Sequence, residues 1–212
     1  MKITIVYDNE TLRDDCRADW GFSALVEFEN RKILFDTGAN GKILLDNMKK
    51  LAIDPTEISA VFISHSHWDH TGGLEDFFKI NPAAELFVPA SYRPPEIAQK
   101  VNYISEAGEI FKNIYSTGEL NNNEQSMAIN TDKGIVVIVG CSHPGIDNIL
   151  NAASQFGRVY AIIGGYHGFD KFDVVADVDI LCPTHCTQHK SEIKSLYPDK
   201  YIDGGVGKII EI

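Results

Sequence analysis

The sequence predicts an α/β protein built as a four-layer αββα sandwich, two β-sheets face to face with helices outside them. Three observations predict it. Stretches rich in β-branched and aromatic residues recur at strand length, segments with apolar residues at helical spacing fall between them, and the second half of the chain repeats the theme of the first without an evident linker. Two β-rich halves with interspersed helices bury their apolar surfaces by placing the sheets inside and the helices outside.

Strands are expected over Ile3–Tyr7, Phe22–Glu27, Lys32–Phe35 and Ala60–Ser64, with Asn30-Arg31 as a hairpin turn. Lys42–Leu51 sets Ile43, Leu44, Met48 and Leu51 at helical spacing, and a further helix begins near Gly72. The second half reads as strands over 126–130 and 134–139, a helix over 145–156, strands over 159–164 and 178–182, a helix over 191–196 and a closing strand over 207–212. Residues 81–125 are the least regular, because Pro82, Pro89, Pro94 and Pro95 break periodicity and Asn121-Asn122-Asn123 marks an exposed turn. That region reads equally as a lid over a site and as a connector carrying one helix near Glu96–Val101. Gly204-Gly205-Val206-Gly207 lacks the strand and helix that flank a phosphate cradle and reads as a turn. The whole of 1–212 is read as one domain.

The 212 residues are 44% apolar, which suits a globular protein and excludes a disordered or fibrous one. A formal net charge of −11, with no local basic track, argues against nucleic acid as partner and for a small molecule. Met1–Tyr7 enters a strand pattern at once, so no export signal is visible, and the apolar runs are far shorter than the roughly 20 residues that cross a bilayer as a helix. A cytoplasmic protein is the simple reading; oligomeric state leaves no trace in the sequence. Cys16, Cys141, Cys182 and Cys186 are expected as free thiols, since a chain of this size needs no disulfide framework. Cys182 and Cys186 flank His185 but have no matching second pair, so they read as small buried residues beside a loop rather than a structural zinc site.

All seven histidines lie between positions 65 and 189, most of them just after an expected strand, where side chains converge at one sheet edge. The densest run, Ser64-His65-Ser66-His67-Trp68-Asp69-His70-Thr71-Gly72-Gly73, places four metal-ligand residues within six positions. In an extended segment His65 and His67 point to the same side and serve one cation, while a turn at Trp68 lets Asp69 and His70 reach another. Burying such a polar cluster without partners costs several kcal/mol, so ligation of two adjacent metals is the economical account.

With its H-x-H-x-D-H run at His65–His70, the sequence resembles the metallo-β-lactamase superfamily. Leu34-Phe35-Asp36-Thr37-Gly38, Gly140-Cys141-Ser142-His143-Pro144-Gly145 and Pro183-Thr184-His185-Cys186-Thr187 are similar to its other motifs, in order along almost the whole chain. The resemblance implies that His65, His67 and His143 hold a first metal, that Asp69, His70 and His185 hold a second, and that Asp36 braces a ligand histidine or its loop from outside, against the plain reading of a turn aspartate before Thr37-Gly38. It departs at one place. Where most relatives carry an aspartate bridging both metals, this chain reads Ile163-Gly164-Gly165-Tyr166-His167-Gly168, with no carboxylate. His167 is expected to face the vacant region as a ligand or an acid–base group, and the lost negative charge leaves one or two metals open. Gly-Gly-Tyr-His, Gly-Cys-Ser-His-Pro-Gly, Pro-Thr-His-Cys-Thr, Tyr7-Asp8-Asn9 and Trp20-Gly21-Phe22-Ser23 resemble the branch named for 7,8-dihydropterin-6-yl-methyl-4-(β-D-ribofuranosyl)aminobenzene 5′-phosphate synthase.

The resulting expectation is hydrolysis of a small ester or phosphoester, because a divalent cation with an open position lowers the pKa of bound water to about 7. Asp69 is expected to orient the attacking hydroxide, and His167, Tyr166, a second metal-bound water or, more weakly, His189 to protonate the leaving group. Arg93 reads either as a phosphate fork or as an ordinary surface arginine. Zinc is the first choice of metal, with manganese or iron next. The alternatives are transfer from a pterin diphosphate, as the branch name implies, iron-dependent redox chemistry on the same fold, and a metal-binding protein without catalysis.

Overall fold

Apolar side chains alternating with period two build both sheets, since successive strand residues face opposite sides. In Lys2–Tyr7 (β1), Ser23–Phe28 (β2) and Arg31–Phe35 (β3), Ile3, Ile5, Ala24, Val26, Ile33 and Phe35 enter one buried layer. Val6, Leu25 and Leu34 enter another. Gly134–Val139 (β10) divides the same way, with Val136 and Ile138 turned to the shared layer and Ile135, Val137 and Val139 turned outward.

The computed structural model describes residues 1–212. Besides those four, its strands are Ala60–Phe62 (β4), Glu85–Pro89 (β5), Val101–Ile104 (β6), Gly108–Phe111 (β7), Ile114–Ser116 (β8), Met127–Thr131 (β9), Val159–Gly165 (β11), Ile180–Thr184 (β12) and Ile209–Glu211 (β13). They form a seven-stranded sheet in the order β13-β1-β2-β3-β4-β5-β6 and a six-stranded sheet in the order β12-β11-β10-β9-β8-β7. Helices Gly41–Lys50 (α1) and Leu74–Ile80 (α3) cover the outer face of the first sheet through Ile43, Leu44, Met48, Leu74, Phe77 and Phe78. Ile146–Ser154 (α4) and Lys190–Leu196 (α5) cover the second through Ile146, Ile149, Ala153 and Ile193. The predicted four-layer sandwich is therefore the fold found. No helix is long and apolar enough to cross a membrane.

Strands β3 and β4 run parallel in the first sheet, and β10, β11 and β12 run parallel in the second. The loops leaving their carboxyl ends carry Asp36, the 64–70 segment, Cys141–His143, Tyr166-His167 and His185. Backbone strain gathers at the same places: Asp36, Ser142, His167 and His185 all have positive φ, between 48° and 59°.

Three local expectations are corrected. No helix forms near Glu96–Val101; Pro94 and Pro95 precede turns, and Val101 instead starts β6, paired in parallel with β5. Residues 81–125 hold four strands, β5 to β8, that lead from the edge of one sheet to the edge of the other. The first hairpin turns at Glu29-Asn30, one residue early, with Glu29 at φ 50°. The closing strand spans only Ile209–Glu211, because Gly207, at φ 88°, turns the chain just before it.

Ile138 is fully buried between the sheets, whereas Ile209 is half exposed on an edge strand. Ile138→Ala is expected to lower the unfolding free energy by about 2–5 kcal/mol and Ile209→Ala by less than about 0.5 kcal/mol, read from urea denaturation midpoints.

Candidate metal centre

The centre is assembled from chain segments that meet only in the folded protein. After β4 the chain bends at Ser64 and Ser66 instead of continuing extended, and His67, itself extended, leads into the four-residue helix Trp68–Thr71 (α2). This brings the rings of His65 and His67 to 4.5 Å and those of His65 and His70 to 4.2 Å, centroid to centroid. The loop after β10 adds His143, 4.7 Å from His65 and 4.8 Å from His67. The loop after β12 adds His185, 5.0 Å from His70. Two triads result, His65–His67–His143 and Asp69–His70–His185, each with its ligand atoms within 4.8 Å of one another.

Four of the five imidazoles are held from behind through Nδ1, which directs Nε2 inward. His70 Nδ1 lies 2.7 Å from Asp36 Oδ2, and His143 Nδ1 lies 2.9 Å from Glu124 Oε2. His185 Nδ1 meets Asn9 Oδ1 at 3.0 Å, and His65 Nδ1 meets Ser64 Oγ at 2.9 Å. Ser64 Oγ in turn donates to Asp36 Oδ2 at 2.7 Å, so one carboxylate steadies both His70 and, through Ser64, His65. Gly140 leaves room for that link, because a Cβ there would stand 2.2 Å from Ser64 Oγ. Trp20 Nε1 donates to Asp69 Oδ2 at 2.8 Å, and that same oxygen lies 3.3 Å from His185 Nε2.

Electrostatics give these groups the charge states that a cation ligand needs. Burial lowers His65 and His70 to about 3, so both rings are neutral and keep a lone pair. Burial opposes ionisation of Asp69, but His185 and His70 outweigh it and hold the carboxyl well below the usual range. Burial likewise opposes ionisation of Glu124, yet bonds from His143 Nδ1 and from the backbone N–H groups of Cys141, Ser142 and His143 bring it down to about 2. Burial pushes Asp36 up to about 8 despite its donors, and positive charge placed beyond His65 and His70 would lower it again. His65 Nε2 and His185 Nε2 are buried and have no hydrogen-bond partner. An unpaired imidazole nitrogen costs free energy in such a setting unless a cation or water meets it, so these residues fit a divalent metal.

The remaining candidates are distributed differently. The strand ends at Gly165 and His167 adopts φ 49°, so its exposed ring stands 5.2 Å from His143 at the rim, outside both triads. Tyr166 turns inward, is 1% exposed and donates from its hydroxyl to Ile162 O at 2.8 Å, which removes it as a proton donor to substrate. His189 pairs with Glu192 on the surface, and Arg93 donates to Ala90 O and Tyr92 O within its own loop. All four cysteines are free thiols. The support from Glu124 was missed, because its sequence setting, Asn121-Asn122-Asn123-Glu124, reads as an exposed turn; the one cue was an acidic residue followed at once by Gln125-Ser126 and a strand. Cys141, expected only as a free thiol, brings its Sγ to 3.2 Å from His70 Nε2.

A sequence model of the metallo-beta-lactamase superfamily matches residues 20–151, which is more than half of the chain and includes His65–His70 and His143. The chain belongs to the metallo-beta-lactamase superfamily. It is 28% identical to 7,8-dihydropterin-6-methyl-4-(beta-D-ribofuranosyl)-aminobenzene-5′-phosphate synthase of Methanocaldococcus jannaschii, over 81% of this chain and 82% of that protein. Among solved structures, Tm1679, a metal-dependent hydrolase of the beta-lactamase superfamily, superposes with a TM-score of 0.82 at 25% identity, covering 100% of this chain and 99% of the other. The metallo-beta-lactamase fold protein YhfI of Bacillus subtilis superposes at 0.71 with 13% identity over 99% of both chains, a likeness of fold alone.

Glu124 contacts no reacting atom yet holds the His143 ring and three backbone N–H groups. Glu124→Gln is expected to weaken metal binding about 10–100-fold, measured by competition with a chromophoric chelator, while the far-ultraviolet circular dichroism stays that of the wild type.

Proposed function

We propose that this chain is a metal-dependent hydrolase acting on a small ester or phosphoester, with zinc as its metal and manganese or iron as substitutes. One observation carries the reading: two closed triads of ligand atoms share an edge of the sandwich, with buried imidazole nitrogens aimed inward and unpaired. The structural likeness to a metal-dependent hydrolase of the same superfamily supports it. His65, His67 and His143 would hold one cation, and Asp69, His70 and His185 a second. When bound, such cations supply a hydroxide at neutral pH and polarise the scissile carbonyl or phosphoryl oxygen.

The protein's own groups then divide the work. Asp69 Oδ2, fixed by Trp20 Nε1, orients the nucleophile by accepting a hydrogen bond from it. His167, exposed at the rim beside His143, delivers a proton to the departing oxygen. Beside it lies a small cleft of about 230 Å³ whose lining includes Ser142, Asp147, His167, Phe169, Asp170 and Lys171. The net charge of −11 argues against a polynucleotide and, with the free cysteines, accords with a cytoplasmic place of action. Residues 81–125 are read as a connector between the sheets within one domain of 1–212, because their strands pair at both sheet edges. A second reading, transfer from a phosphorylated pterin, is supported by the synthase relative in Methanocaldococcus jannaschii.

Zinc-loaded protein is expected to turn over at least one of an aryl ester, an aryl phosphodiester, a cyclic phosphodiester or a lactone, to lose that activity on chelation and to regain it with zinc. Turnover of none of them, or turnover indifferent to chelation, sinks the reading; release of pyrophosphate from a pterin diphosphate would replace it with transfer. His167→Ala is expected to lower kcat about 10²–10⁴-fold with zinc content unchanged. A matching fall in zinc content would make His167 a ligand instead.

A further inference from the structure

The sequence lacks a carboxylate in the 164–168 run, and the fold fills that region with sulfur. A Cβ on Gly165 would stand 2.7 Å from Cys186 Sγ and 2.5 Å from Gly140 O, so the place where a side chain would leave this strand end is already taken by a thiol from the neighbouring loop. Cys186 follows His185 after β12, and Cys141 precedes His143 after β10, so the two sulfurs approach from the adjoining loops on either side of Gly165. Cys141 Sγ lies within 4.8 Å of the ligand atoms of His65 and His70, and equally within 4.8 Å of those of His185 and Cys186. It therefore stands between a residue of one histidine triad and residues of the other.

The two imidazole nitrogens left without partners, His65 Nε2 and His185 Nε2, belong to these same sulfur-containing groups. Cys141 is 4% exposed and forms no disulfide, and the Cys186 thiol has only a 3.9 Å approach to Cys141 O among its recorded hydrogen bonds. Cys141 Sγ meets His70 Nε2 at 3.2 Å, so this sulfur already faces a nitrogen of one triad, and neither thiol is tied up in a disulfide.

We propose that Cys141 and Cys186 are metal ligands, Cys141 as a thiolate between the two cation positions and Cys186 as a further donor to the position held by Asp69, His70 and His185. This rests on the metal-centre reading above and extends it by naming two sulfur ligands in place of the missing carboxylate. Each thiol gives its proton to solvent as the metal–sulfur bond forms. A sulfur-containing donor set favours zinc, iron or cobalt over manganese and magnesium, whose preference is for oxygen.

Cobalt(II) loaded into the wild-type protein is expected to show a sulfur-to-cobalt charge-transfer band in the near ultraviolet. The band weakens in Cys141→Ser and in Cys186→Ser, is absent in the double variant, and is unchanged in Cys16→Ser, which lies away from the centre. The zinc X-ray absorption spectrum of the wild type, which depends on no variant folding, should contain sulfur at about 2.3 Å beside nitrogen and oxygen at about 2.0–2.1 Å. Metal bound without a charge-transfer band or a sulfur shell, or a band that survives in the double variant, overturns the thiolate ligands while leaving the histidine triads standing. Failure of the wild type to bind cobalt or zinc overturns both readings together.

Discussion

Asp36 is the group on which the centre depends. Its Oδ1 accepts from the Ser64 backbone N–H, and its Oδ2 accepts from Ser64 Oγ and faces His70 Nδ1, each at 2.7 Å. Ser64 Oγ carries the constraint on to His65. One buried carboxylate therefore determines how an imidazole of each triad is turned and which of its nitrogens faces inward. The arrangement is stable only as a whole, since removing one partner leaves others buried and unsatisfied.

The second half supplies the counterpart in Glu124, which gathers three consecutive backbone N–H groups and the His143 ring at the end of β10. Asp36 follows a strand of one sheet and Glu124 leads into a strand of the other, so each sheet brings its own buried acid to the shared rim. The positive φ angles of Asp36, Ser142, His167 and His185 are the conformational cost of turning those loops inward. Three apolar layers, one between the sheets and one under each pair of helices, offset it.

Sulfur in place of a carboxylate changes the character of such a centre. A thiolate is softer and a weaker hydrogen-bond acceptor than an aspartate, so a metal held by Cys141 or Cys186 would meet less hard negative charge than one held by a carboxylate. Gly165 and Cys186 are two sides of one spatial constraint, because a side chain on the first would displace the sulfur of the second. A glycine that looks like a loss in the linear sequence is, in three dimensions, the clearance that another residue needs.

The layered architecture is legible in the chain, since period-two and helical spacings are local properties and most strand and helix segments outside 81–125 fall near their expected positions, whereas β5 to β8 leave no such pattern among the prolines of that region. The sequence by itself also marked the ligand candidates: His65, His67, Asp69 and His70 lie within six positions, and His143 and His185 stand in motifs of the same family. Tertiary structure alone decided what depends on separated segments meeting. Glu124 lies behind His143 because the 121–123 turn delivers it there, Asn9 braces His185 from the other end of the chain, and Cys141 and Cys186 converge on Gly165. His167 swings to the rim because a left-handed backbone ends the strand before it, a conformation that strand alternation cannot foretell. Spacing along a chain records which residues share a face; which faces meet is settled by packing.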